Sequence, residues 1–568
     1  VAEVFPDQLA PQVLDVYVDL LNTGERLFFG RLMAHEKDLG PVIKAFHGRL
    51  YLNLSQLRHV VACVGVPFAG TLRSLGHPEQ IHPGDELARR PPLMRLLRVV
   101  PDIVRLARYD LGMVRVFRAH QARTERALMR LTSRAPDGLS DQDIWATIAW
   151  WVDSALQAIP PVFVMSNVQA REDIIRKACE RVGTTYDALA YPNLAAGPRS
   201  VSSQQAFDLA RLAAIARDEP HAAAYFHRDR AGFDDLRVAL AGTTFLAEFD
   251  AFMTRYGHRG RYESDWSIPR LREDSTPVLF AIRAQMDAPQ DVDGMIARQA
   301  ADAAAAWRAF EARLTAWQRW TLLPRVRTAL TQLKRQYIWR EQVRSDLTRV
   351  LAAVRPWHLA LARRFVERGW LDHVDEYFLL LLREVRQACD DPERGQALRP
   401  IAARRAVERE AERPLQLPLF MRESELPALM AQRSPAVGAG DELRGFCVSP
   451  GRVTAEVVVM RDPDEFATMK RGAILVAPAT DPSWTPLFTL AAGVIVEVGG
   501  MLSHASTIAR EYGLPALANV KNATRILKTG DRVVLDASGG VVRRQSDHAQ
   551  SDDPTLSESG DRDSARRT

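Results

Sequence analysis

The sequence predicts a multidomain protein, a mainly α-helical region of about four hundred residues followed by a small α/β domain. Three observations carry this. A chain of 568 residues exceeds what one hydrophobic core organises. Apolar residues recur at helical spacing through most of the first four hundred positions. After about residue 430, short β-branched runs separated by glycine turns replace them.

The elements follow in chain order. Gly48-Arg-Leu-Tyr-Leu-Asn53 alternates like a strand. Residues 101–134, 203–217 and 292–323 carry helical apolar stripes. Ser140-Asp-Gln-Asp143 is a capping box, with Ile144, Ile148, Trp151, Val152 and Leu156 striping the helix behind it. Tyr256-Gly-His-Arg-Gly-Arg-Tyr262 reads as a glycine-punctuated basic loop. From Pro324 to Gly369 a helical run is interrupted only by Pro356. Ser434–Gly440 has linker composition. Strand candidates follow at Ala455–Met460, Ala473–Ala477, Gly493–Val498 and Arg532–Asp536, with a helix over Ala505–Tyr512 closed by Gly513 and Pro515. The expected division is 1–430 for the helical region, 431–442 for a linker and 443–544 for the α/β domain, with a disordered polar tail over 545–568.

Composition excludes collagen-like, wholly disordered and disulfide-scaffold classes. A net charge of +5 over this length does not point to nucleic acid. Cys63, Cys179, Cys389 and Cys447 form no CxxC or Cys/His cluster, so no metal site is expected and a reducing, cytoplasmic setting is. The most apolar window, Ala149–Met165, contains Asp153, Gln157, Pro160 and Pro161, which makes it a poor membrane span. The chain begins at Val1, not a methionine.

The informative string is Val498-Gly-Gly-Met-Leu-Ser-His504-Ala-Ser-Thr-Ile-Ala-Arg510-Glu-Tyr-Gly-Leu-Pro515. A buried strand runs into Gly499–Gly500, and His504 lands at the mouth of a helix whose orphan amides favour negative charge. Ser503 and Ser506 add hydroxyls there as phosphate-binding candidates. A neutral imidazole is a nucleophile near pH 7, and a phosphoryl group placed on it would meet these donors. The competing reading is an ordinary helix-start histidine.

Gly-Gly-x-x-Ser-His-Ala and Ala-Arg-Glu-Tyr-Gly-Leu-Pro-Ala closely resemble the phosphohistidine "swivelling" domain of phosphoenolpyruvate-utilising enzymes. Phe446–Gly451, Thr480-Asp-Pro-Ser-Trp-Thr-Pro-Leu-Phe488 and Asp531–Asp536 are similar to further pieces of it in the same order. The resemblance implies that His504 is phosphorylated and carries the group between two active sites. Dikinases of this family often have a regulatory threonine two residues earlier, where this chain has Leu502. No substrate barrel of the phosphoenolpyruvate synthase kind follows Arg544, and the order of regions resembles rifampicin phosphotransferase and phenylphosphate synthase instead. Val4–Pro11, His47–Asn53, Tyr256–Gly260, Val366–Leu371 and Asp375–Phe378 are similar to landmarks of the acceptor-binding domain of rifampicin phosphotransferases.

Within the helical region Arg340-Glu-Gln-Val-Arg344 places two guanidinium groups one helical turn apart. Such a pair can grip a phosphoryl group, or can be a solvated face salt-bridged to Glu341. The family's matching pair is an arginine and, usually, a lysine, so Arg344 departs from it. His258, Arg259 and Arg261 form a second candidate cluster, with His258 a candidate base for an acceptor hydroxyl. Trp150, Trp151, Trp317, Trp320, Trp339 and Trp357 are available to line an apolar cavity.

The resemblance further implies a donor module of the ATP-grasp type, holding ATP and Mg²⁺. No GxxxxGK[ST] loop occurs and the acceptor-like region starts near Val4, so the donor module is expected either on a separate ATP-grasp subunit, the favoured reading, or on a part of the protein outside this sequence. The expected function is an AMP-forming phosphotransferase component acting on a hydroxyl of a small aromatic or hydrophobic acceptor, without nucleic acid or membrane. Two alternatives stand beside it: a non-catalytic phosphocarrier or sensor relaying phosphate to a protein, and a degenerate drug-binding module.

Overall fold

The computed structural model describes residues 8–32, 40–63, 68–69, 72, 100–101, 104, 107–108, 110–155, 168–228, 233–286, 291–413, 415, 417–418, 421–431, 442–461, 465, 468–500 and 503–545. Val4–Asp7, Leu156–Met165, Leu502, residues 432–441 of the expected linker and the tail beyond Gln545 lie outside the described residues.

The helical region is built along one helix, Leu323–Glu367, of 45 residues. It was expected to be interrupted at Pro356, yet it runs through that residue. Val354, Trp357, Leu361 and Phe365 are buried around the proline, and their packing outweighs the roughly 3 kcal/mol that an interior proline costs. The helix ends where Gly369 takes a left-handed φ of 72°. Met113–Thr132, Asp141–Ala155 and Gln169–Arg181 pack along it. Ser140 caps Asp141–Ala155 as expected, its Oγ accepting from the Asp143 amide at 3.1 Å.

The stripe over 292–323 is two helices, Val292–Ala312 and Ala316–Thr321. Thr315 separates them: its Oγ1 accepts from the Gln318 amide, and the Gln318 side chain accepts from the Thr315 amide at 2.9 Å. The strand expected at Gly48–Asn53 is β2 (Arg49–Leu52), paired antiparallel with an unanticipated β1 (Ile43–Phe46). Positive φ at His47 and Gly48 (49° and 74°) makes the two-residue turn between them.

The α/β unit contains β3 (Glu442–Arg444), β4 (Phe446–Ser449), β5 (Arg452–Val459), β6 (Ile474–Ala477), β7 (Gly493–Val496), β8 (Ala516–Ala518), β9 (Arg532–Asp536) and β10 (Val541–Arg544). They form one sheet in the order β3-β10-β9-β5-β6-β7-β8-β4, with β5 to β8 parallel and the flanking pairs antiparallel. Glu442, assigned by sequence to the linker, already begins β3. β6 and β7 are buried at every position, which is why they read as continuous apolar runs.

One face of the sheet holds a core of Val457, Ile474, Val476, Ile495 and Leu535. The other face merges through Phe488 and Ile508 into an apolar cluster with Phe207, Leu212, Phe249 and Ile282 of the helical region. The α/β unit is therefore docked on helices Val201–Asp218 and Thr276–Met286. Among the described residues, no helix is long and apolar enough to cross a membrane, and no group of three or more candidate ligands could hold a metal.

Candidate active site

β7 leads through Gly499–Gly500 into the helix His504–Tyr512, as its sequence requires. Ser503 is the N-cap, its Oγ accepting from the Ser506 amide at 3.1 Å, and Gly513 closes the helix at φ 68°. The Ser503 and Ser506 hydroxyls lie 2.6 Å apart, and Ser506 donates to the Gly500 carbonyl at 2.6 Å. Both hydroxyls expected to meet phosphate therefore brace the turn in this pose.

His504 is completely buried. Its Nε2 lies 3.2 Å from the Thr485 hydroxyl, and its ring stands edge-on to Phe488 at 6.0 Å. Burial pushes its pKa down to about 3; Arg344, Arg259 and Arg340 act in the same direction and Glu341 against them. The imidazole is neutral at physiological pH, the protonation state in which a histidine acts as a nucleophile.

The helical region turns a charged cluster toward this histidine. Arg340 and Arg344 are only 17% and 16% exposed and Glu341 2%, so the solvated-face reading fails. Arg340 pairs with Glu341 at 3.2 Å. Arg259 donates to the Ser202 hydroxyl at 3.1 Å, and Ser202 donates to Glu341 at 3.2 Å. Glu263 lies between Arg259 (3.7 Å) and Arg344 (3.8 Å). Among the described residues, the guanidinium groups of Arg259, Arg340 and Arg344 outnumber the Glu263 and Glu341 carboxylates they pair with beside the neutral His504. Burial would raise Glu341, but Arg340 and Arg344 hold it below the usual carboxylate range. Burial raises Glu263, with Asp481 adding to it and Arg259 and Arg344 opposing.

Arg259, Arg340, Arg344 and His504, chosen from distant parts of the sequence, are thereby brought together. The contacts recorded for two other candidates lie elsewhere. His258 turns to the long helix, its Nε2 3.1 Å from the Ser345 hydroxyl, and burial pushes its pKa to about 2. Arg261 lays its guanidinium over the neighbouring Tyr262 ring at 5.0 Å. Trp317 and Trp320 lie exposed side by side, Trp151 and Trp357 are core, and Trp339 stacks on Phe117.

The rest of the His504 helix is gripped by residues that sequence reasoning missed. The Arg510 guanidinium carbon lies 5.1 Å from the Tyr337 ring centre and 5.9 Å from that of Tyr191. Tyr337 in turn donates to Glu172 at 3.0 Å. Ser200 donates to the Glu511 carboxylate at 3.2 Å, and the Gln299 amide donates to the Glu511 carbonyl. Gln285 donates to Thr489 at 2.8 Å, and the Tyr262 amide donates to Asp481 at 3.0 Å. Only the Arg-Glu-Tyr run after His504 hinted at any of this: charged residues on a helix otherwise expected to bury one face.

A strand–Gly–Gly–Ser–His–helix turn of this geometry has a match among known families. Residues 469–540 match the family model described as "PEP-utilising enzyme, mobile domain". Over these residues the α/β unit is similar to that mobile domain. Residues 157–341, a stretch that includes Arg259 and Arg340, match the family model described as the rifampicin phosphotransferase fourth domain. A rifampicin phosphotransferase of a Streptomyces species is 30% identical over 362 residues, covering 61% of this chain and 40% of that protein. The prodigiosin synthesizing transferase PigC of Serratia marcescens is 29% identical over 315 residues, covering 52% of this chain and 33% of the relative. Chondramide synthase cmdD of Chondromyces crocatus is 30% identical over 328 residues, covering 54% of this chain and 8% of its own length. The matched part thus spans 40% or less of each of these relatives.

Proposed function

We propose that this chain is the carrier and acceptor half of a phosphotransferase. His504 receives a phosphoryl group that originates from ATP on an ATP-grasp partner, and passes it to a hydroxyl of a small, hydrophobic or aromatic acceptor. One observation carries the reading: a neutral, wholly buried histidine on a mobile domain, seated against Arg259, Arg340 and Arg344.

The physical argument has two steps. A histidine with no exposed surface cannot meet a bulky nucleotide donor in this pose, so charging requires the mobile domain to leave. On return, the phosphoryl dianion enters a site with excess guanidinium charge, and low local polarity strengthens that attraction. The arginines hold the group in line with an acceptor oxygen and neutralise charge on its equatorial oxygens during transfer. The matches to rifampicin phosphotransferases support a phosphotransferase role.

The test combines the chain with a candidate ATP-grasp protein, labelled ATP and a panel of phenols and macrocyclic alcohols. Label should appear on His504 and then on a small molecule, with release of AMP. A His504→Ala protein that still made phosphorylated product would refute the proposal.

A further inference from the structure

We propose that Glu263 is the group that removes the proton from the acceptor hydroxyl as the phosphoryl group leaves His504. The inference rests on the phosphocarrier reading above and adds to it the base that a hydroxyl acceptor requires.

Glu263 is buried, 2% exposed. Among the described residues neither of its carboxylate oxygens has a hydrogen-bond partner. Its nearest cations, Arg259 and Arg344, stand at 3.7 and 3.8 Å, beyond hydrogen-bonding distance. A buried carboxylate that is ion-paired but accepts no hydrogen bond is left incompletely satisfied. Such a group calls for an explanation, and a missing hydroxyl donor supplies one. The two flanking arginines belong to the set that faces His504, so a hydroxyl donated to Glu263 would lie beside the phosphoryl group they hold.

The backbone registers Glu263 against the carrier. The preceding residue, Tyr262, has a left-handed φ of 48°, and its amide donates to Asp481 of the mobile domain at 3.0 Å. The loop carrying Glu263 is thus tied to the domain that carries His504. Four charged groups face the carboxylate: Arg259, Arg344 and Arg270 from the helical region and Asp481 from the mobile domain. Burial and Asp481 outweigh the three arginines and raise its basicity above that of an ordinary glutamate, which suits a base working near neutral pH. Glu341 is held in the opposite direction and is engaged by Ser202 and Arg340.

The step balances. The acceptor O–P bond forms as the His504 N–P bond breaks, and the hydroxyl proton passes to Glu263. The departing imidazole nitrogen takes one proton from solvent and Glu263 returns its own, so one proton moves in net from acceptor to histidine.

The experiment loads His504 chemically with labelled phosphoramidate, which dispenses with the ATP-grasp partner, and then adds phenol. Discharge rates are normalised to the label loaded. In the wild-type chain, phenyl phosphate should form with a rate that rises with pH as Glu263 ionises and then levels off. Glu263→Gln should lower that rate about 100-fold and abolish the pH-dependent limb. Glu263→Asp, which keeps a carboxylate, should restore the limb with part of the rate. A Gln variant that is folded by circular dichroism and discharges to phenol within threefold of wild type, with the same pH profile, overturns the base assignment alone. A wild-type chain that takes no label on His504, or holds it without forming phenyl phosphate, overturns the carrier reading and this inference with it.

Discussion

Removing the Arg510 guanidinium should release the mobile domain from the helical region. Arg510 is 5% exposed and sits over the Tyr337 and Tyr191 rings, contributed by the opposite side of the interface. Its hydrogen bond to the Ser506 carbonyl, at 2.8 Å, lies within the mobile domain and travels with it. Undocking therefore separates it from the Tyr337 and Tyr191 rings and from the charge of Glu172. Two desolvated cation–π contacts of about 1 kcal/mol each give roughly 2 kcal/mol of docking energy, a shift of about 30-fold in the docked-to-undocked ratio. Arg510→Met keeps an unbranched stem and removes the charge. The assay is modification of His504 by diethyl pyrocarbonate, read by peptide mass spectrometry. His504 has no exposed surface when docked, so its modification rate follows the undocked fraction. The rate should rise about 30-fold in Arg510→Met and by less in Arg510→Lys, which keeps a cation over the rings. His258 and His358, buried within the helical region, serve as internal controls and should be unaffected. An Arg510→Met protein modified at the wild-type rate would refute the reasoning.

Three further perturbations follow from the structure. Arg344→Ala should lower transfer from charged His504 by about 100-fold, whereas Arg344→Lys, keeping a cation at the site, should lose far less; equal losses in discharge assays would remove the charge argument. Burial raises the Glu25 carboxyl to about 7, so between about 4.5 and 7 the native state holds a proton that the unfolded chain releases, and stability falls as pH climbs through that window. Glu25→Gln should flatten this slope and stabilise the protein by roughly 1–3 kcal/mol at pH 8, with no gain at pH 4; denaturant titrations at the two pH values decide it. A methyl group on Gly395 would fall 2.2 Å from the Trp370 ring, so Gly395→Ala should cost roughly 1–3 kcal/mol, and an unchanged melting temperature would contradict that packing.

The division of labour between sequence and tertiary structure is visible in individual residues. The His504 turn was legible in the sequence because every determinant is local. An apolar strand, two glycines, a serine cap and a closing glycine lie within a score of positions and specify backbone geometry on their own. The capping box at Ser140 and the β2 strand were readable for the same reason, whereas β1 was not, since four residues of ordinary composition become a strand only by pairing. Pro356 misled because a local helix breaker was outweighed by the core around it.

The chemistry of the site depends on contacts no window of sequence contains. Arg340 and Arg344 read equally well as a solvated face or a phosphate grip until Ser202, Arg259 and the mobile domain covered them. Glu263, five residues beyond His258, carries no local sequence signal of a role. Among the described residues its carboxylate accepts no hydrogen bond, and the fold buries it between two guanidinium groups. The sequence by itself determined which histidine sits at a helix mouth, since helix capping is a short-range effect. Only the tertiary structure decided which charges face that histidine, because burial and electrostatic coupling join residues hundreds of positions apart.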